Sequence, residues 1–155
     1  MHMREINGVR LHHVVTGDPD GLPLVFANSL GTDFRIWDKV IAGLPAGLKI
    51  LRYDMRGHGL SDAPEGDYPM ADLVADAAGL MDALGFRDAV FVGLSIGGIV
   101  AQGLAVERPD LVRAVVLSNT AAKLGTEQTW GERIALVRAQ GIEAIGDNVM
   151  KLWFS

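Results

Sequence analysis

The sequence predicts an α/β fold: a mostly parallel sheet with helices on both faces. Three observations carry that prediction. Short unbroken apolar runs recur between Leu22 and Leu117, stretches of helical periodicity separate them, and a Gly-x-Ser-x-Gly pentapeptide falls where one run meets one helix. Strands buried on both faces read as continuous apolar runs. Strands alternating with helices imply parallel pairing through crossover connections.

The elements follow in order. Arg10–Thr16 carries Val14, Val15 and Thr16 and ends at the turn signal Gly17-Asp18-Pro19. Leu22-Pro23-Leu24-Val25-Phe26-Ala27, Leu48–Tyr53, Ala89–Val92 and Ala114–Leu117 read as buried strands. Residues 71–84 set Leu73, Ala77, Leu80, Met81 and Leu84 on one helical face, with Asp72, Asp76 and Asp82 elsewhere. Pro69 near the start and Gly85 at the end fit the usual asymmetry of helix termini. Residues 97–107 form a further helix, stopped by Pro109. From Thr126 to Trp153 the texture becomes helical without a strand: Trp130, Ile134 and Val137 share one face, and Ile142, Ile145 and Val149 the next. We therefore divide the chain into an N-terminal core, residues 1–124, and the start of a helical cap, residues 125–155.

Composition narrows the function classes. With 155 residues, 49% of them apolar and 21% charged, the chain suffices for one compact domain with a real core. The net charge of −5 argues against a nucleic-acid groove or a polybasic membrane patch. The absence of cysteine excludes disulfides, thiolate catalysis and Cys-ligated metal. The N-terminus has no apolar signal core, and no apolar run approaches the length of a membrane span, so the cytoplasm is the expected location.

The chemistry centres on Gly93-Leu94-Ser95-Ile96-Gly97. It follows a predicted strand and opens a predicted helix, the context of a nucleophile elbow. A serine on that sharp turn projects above the sheet, and side chains two residues before and after it would collide; hence Gly93 and Gly97, with Gly98 giving room for close helix packing. The helix N-terminus offers N–H groups to a developing oxyanion. One donor would be the N–H of Ile96, and the other should come from the loop after an earlier strand. Asn28-Ser29-Leu30-Gly31 follows such a strand, which makes Leu30 the candidate; an ordinary Asn/Ser/Gly-rich turn is the competing reading. The loop Arg52–Asp62 holds Asp54 and His58, but its two glycines and many hydrogen-bonding side chains indicate a tight structural loop. In this class of elbow the acid and the histidine follow the serine in the chain.

The four histidines, His2, His12, His13 and His58, all precede Ser95. A serine hydroxyl without a base is a poor nucleophile at neutral pH. Of the acids after Ser95, none ends a predicted strand. We expect the acid and the base from a complementary C-terminal peptide of at least two strand-helix units, roughly 30 residues each, and we expect the isolated chain to be inactive.

Taken together, Asn28–Asp33 with Trp37-Asp38, the Arg52–Asp62 loop, Gly93–Gly98 and Ser118-Asn119-Thr120-Ala121-Ala122-Lys123-Leu124-Gly125 resemble the 3-oxoadipate enol-lactonase family of α/β-hydrolases. The resemblance runs through essentially the whole chain. It implies an eight-stranded sheet with a helical cap after strand six, of which this chain supplies strands one to six and the first cap helices. It also implies the activity. Ser95 attacks the lactone carbonyl, the N–H groups of Leu30 and Ile96 hold the oxyanion, and water releases the keto acid of the β-ketoadipate pathway, with no metal or organic cofactor. Asn28, Ser29, Arg35, Trp130, Arg133 and Trp153 are the substrate-binding candidates, with Arg138, Lys151 and Phe154 beside them. A general carboxylesterase is the competing enzyme, and a non-catalytic binding module the competing class.

Overall fold

The computed structural model describes residues 2–153; Phe154 lies outside them. The unbroken apolar runs form the four parallel strands of a six-stranded sheet. Its strands are β1 (His2–Ile6), β2 (Val9–Gly17), β3 (Leu22–Ala27), β4 (Leu48–Tyr53), β5 (Ala89–Leu94) and β6 (Val112–Ser118), in the spatial order β1-β2-β4-β3-β5-β6. β4-β3-β5-β6 pair in parallel, whereas β1-β2 and β2-β4 are antiparallel. β1 is absent from the sequence reading because only Ile6 of its five residues is buried, which leaves no periodicity to detect.

Strand periodicity sorts the core onto two faces. Leu11, Val25, Leu51, Tyr53 and Phe91 point to one face and pack against α2 (Met70–Leu84) and α3 (Ile96–Glu107) through Leu73, Leu80, Met81, Val100 and Leu104. Leu24, Phe26 and Ile50 point to the other, where Trp37 covers Phe26 at 4.9 Å between ring centroids. Trp37 closes a 3-10 turn, Phe34–Trp37, that runs into the five-residue helix α1, Asp38–Ala42. This face is thinly covered: Val90, Val92 and Leu94 remain half-buried. No described strand pairs with the outer edge of β6, and Val116 and Leu117 are 48% and 46% exposed on its opposite faces.

The ends of α2 follow from local chemistry. Pro69 is its extended N-cap, and Gly85 adopts φ 68°, the left-handed conformation that favours glycine. The N–H of Phe86 then donates to Met81 O at 2.9 Å, and the Phe86 ring is fully buried. One expectation is corrected here. Asp76 lies within the helix's buried surface at 1% exposure, because Arg56 Nε donates to its Oδ2 at 2.7 Å and Asn7 Nδ2 to its Oδ1 at 3.1 Å. Burial of a charge is tolerated only with such partners.

The chain divides into two units, the residues up to Ala122 and those from Lys123 onward. The second unit holds α4 (Glu127–Gln140) and α5 (Glu143–Trp153). Thr126 and Thr129 close a capping box at the start of α4. The apolar face read from the sequence there is not buried: no residue of α4 is, and Ile134 is 47% exposed. No helix among the described residues is long and apolar enough to cross a membrane.

Candidate active site

Ser95 stands between the last residue of β5 and the first of α3, with φ 55° and ψ −115°. A non-glycine residue with positive φ is strained, and such strain persists only where the surroundings impose it. The surroundings here are hydrogen bonds to the main chain of Ser95. Its N–H donates to Ser118 O at 2.9 Å, while its carbonyl accepts from Gly98 N at 2.9 Å and from Thr120 Oγ1 at 2.8 Å. Thr120, beyond the end of β6, thus supports the elbow. The sequence reading singled out its segment without assigning it this role.

The three glycines are sterically required. A Cβ on Gly93 would strike the carbonyl of Gly97 and come within 2.5 Å of Gly98 N. One on Gly97 would strike the carbonyl of Ala27 and lie 2.9 Å from Asn28 O. One on Gly98 would lie 2.5 Å from Thr120 Cγ2. The first two contacts are to backbone and cannot be relieved by rotating a side chain; the third is to the side chain of Thr120, whose Oγ1 is held by the Ser95 carbonyl.

The Gly97 contacts also join the elbow to the loop after β3. β3 and β5 are parallel neighbours with Ala27 opposite Gly93, so both strands deliver their following loops to one edge of the sheet. Leu30 lies in one loop and Ile96 follows Ser95 in the other. Both main-chain donors, the N–H groups of Leu30 and Ile96, remain without an acceptor among the described residues.

Asn28 works from inside its loop. It is fully buried, and its Nδ2 donates to Ser29 O at 3.3 Å and to Thr32 O, while its Oδ1 meets no donor among the described residues. Ser29 is also buried, and its carbonyl accepts from Thr32 Oγ1 at 2.8 Å. Arg35 is exposed but committed to Asp33 at 2.6 Å, and this hydrogen-bonded pairing raises the guanidinium's pKa and holds the Asp33 carboxyl below its usual range. In the second unit Trp130 Nε1 donates to Leu124 O at 2.6 Å, the Arg133 guanidinium lies 5.6 Å from the Trp130 ring centre, and Trp153 is exposed.

Asp54 and His58 occupy the tight loop expected of them. His58 Nδ1 contacts Arg56 O at 3.0 Å. Asp54 is buried against His12, with Nδ1 and Oδ2 2.8 Å apart. A cavity of about 620 Å³ beside this pair is lined by His12, Phe34, Arg35, Arg52 and Leu60 among others, and Ser95 is not among its lining residues. It is therefore not the nucleophile's own pocket. No histidine among the described residues hydrogen-bonds to Ser95. No group of three or more His, Asp or Glu side chains among them could hold a metal ion.

A doubly wound sheet bearing a strained Gly-x-Ser-x-Gly elbow defines the alpha/beta hydrolase fold, and the sequence pattern of that family matches residues 23–139. The chain belongs to it. Within the family it is similar to two 3-oxoadipate enol-lactonases of Acinetobacter baylyi. It is 39% identical to enol-lactonase 2 over 95% of this chain and 55% of that one, and 34% identical to enol-lactonase 1 over 96% and 55%. The crystal structure of the enol-lactonase from Burkholderia xenovorans LB400 superposes with a TM-score of 0.95 at 39% identity, covering 99% of this chain and 60% of that one. The chain spans about half the length of the curated relatives it matches.

Proposed function

We propose that this chain carries the nucleophile and the oxyanion loop of a serine hydrolase that opens a lactone ring, converting 3-oxoadipate enol-lactone to 3-oxoadipate. The observation that carries the reading is Ser95 held at φ 55° on the turn between β5 and α3, with the N–H groups of Ile96 and Leu30 donating to no acceptor among the described residues. The similarity to enol-lactonases supports the substrate. In this reading a histidine outside the chain, itself oriented by an acid, removes the Ser95 proton. Oγ attacks the lactone carbonyl, and the two N–H groups take up the charge that develops on its oxygen. The ring C–O bond breaks to leave an acyl-enzyme and an enolate that is protonated to the ketone. Water then hydrolyses the acyl-enzyme. Each such donor is worth about 3 kcal/mol of barrier in comparable enzymes.

The acid and the histidine come from a complementary C-terminal polypeptide. The open edge of β6 and the thinly covered face at Val90, Val92 and Leu94 support that completion. The test uses the assembled enzyme. We expect Ser95 to be labelled by an aryl phosphonate, and the enol-lactone to be hydrolysed in preference to simple aryl esters. Equal rates on both substrates would make it a general carboxylesterase. Absence of labelling would make it a binding module.

A further inference from the structure

Asp54 is a buried and heavily engaged carboxylate outside the elbow. At 1% exposure, its Oδ1 accepts the Phe34 N–H at 2.8 Å and its Oδ2 accepts the Leu60 N–H at 3.0 Å while facing His12 Nδ1. The loop after β4 closes over it without a side chain: a Cβ on Gly59, at φ +51°, would fall on the carboxylate, 2.8 Å from Oδ1. The His12 ring stacks on Phe34 with centroids 5.0 Å apart. These groups surround the first residue of the 3-10 turn, the point at which the Asn28–Asp33 loop ends. The other end is fastened by Asn28 through Ser29 O and Thr32 O. Leu30 lies between the two fastenings, next to Gly31 at φ 77°.

We infer that Asp54 is a positioning residue for the oxyanion hole: by holding the Phe34 N–H it fixes the loop that presents the Leu30 N–H to the substrate. The inference rests on Leu30 being an oxyanion donor, as proposed above. A loop free to shift would lose that donor's alignment, and preorganisation is what makes such a donor effective. Asp54 touches no reacting atom and comes from the loop after a different strand. Its effect belongs in the transition state, so its loss lowers kcat and leaves KM nearly unchanged.

A pair of variants in the assembled enzyme isolates the bond. Asp33 is extended, with φ −113° and ψ 176°, so proline can follow it, and proline suits the first position of a helical turn. Phe34→Pro and Phe34→Ala both lose the ring, but only the first loses the N–H that Asp54 accepts. We expect kcat of Phe34→Pro to lie about 10-fold below that of Phe34→Ala with similar KM, and phosphonylation of Ser95 to slow by the same factor. Asp54→Ala, which removes the acceptor, should behave like Phe34→Pro. Ser61→Ala cuts the bonds that Ser61 Oγ makes with Asp54 O and His12 N; it should lower the Tm and leave kcat unchanged. Equal kcat and labelling rates in the two Phe34 variants would overturn the inference. If Phe34→Pro does not fold, an Asp54→Ala enzyme with undiminished labelling would overturn it instead. An enzyme that ignores the lactone yet is phosphonylated at Ser95 refutes only the substrate assignment, and the labelling rates still decide the role of Asp54.

Discussion

A side chain on Gly97 would run into the carbonyl oxygen of Ala27. The helix that starts after Ser95 is therefore packed backbone to backbone against the end of β3 and the loop that holds Leu30. Gly97→Ala should cost about 2–3 kcal/mol in urea unfolding and slow the labelling of Ser95, because relief requires one backbone to move. Gly131→Ala is the contrast: it lies within α4 with open space around its Cα, and it should stabilise by up to about 1 kcal/mol.

Ser95→Gly should separate stability from chemistry. The backbone conformation at Ser95 is costly for any L side chain and easy for glycine. After glycine's greater loss of conformational freedom on folding is subtracted, we expect the variant to be about 1 kcal/mol more stable and catalytically dead. A variant no more stable than the parent would show that the elbow stores little strain.

Arg56 and Asp76 form a buried pair, 9% and 2% exposed at their side chains, that ties the loop after β4 to α2. Removing Arg56 strands the buried Asp76 charge, whereas removing Asp76 leaves Arg56 with Asp72 at 2.7 Å. Arg56→Met alone should cost about 3–5 kcal/mol and Asp76→Leu less, while the double substitution should recover much of the larger loss. The coupling appears as non-additive unfolding free energies.

His13 gives the protein a pH-dependent margin. It is 3% exposed, and burial depresses its pKa below 6.5, aided by repulsion from His2, Arg4 and His12 and opposed by its contact with Leu11 O. Above pH 6.5 the ring is neutral in both folded and unfolded chains. As pH falls from there, the unfolded chain binds the proton first, so stability declines. Asp33, Asp62, Asp82 and Asp110, all held below their usual range by arginines, lose their contribution only at lower pH. Urea midpoints should therefore drop as the pH falls below about 6.5, and His13→Gln should flatten that drop.

Much of this was legible in the sequence, for identifiable reasons. The central strands could be read because both faces are buried, which leaves no polar residue to interrupt Leu24–Ala27. The elbow could be read because its sterics demand glycine at fixed offsets from Ser95. The turn and helix at Phe34–Ala42 could not, since between them only Phe34 and Trp37 are buried and no repeat develops. The fate of Asp76 was hidden because its partner lies 20 residues away on another element. The tightness of the Arg52–Asp62 loop was visible in its composition, but the reach of Asp54 to Phe34 and His12 depends on the order of strands in space, which no local pattern encodes.

The free border of β6 also bears on how the protein can be handled. It presents a row of main-chain donors and acceptors with Val116 and Leu117 standing bare on either side. To an extended peptide, such a border is a template. Two molecules meeting there would satisfy each other's hydrogen bonds, so losses to precipitation should grow faster than concentration. A single lysine in place of Val116, which pairs with Val92 and not with the elbow glycine, should keep the sample in solution longer.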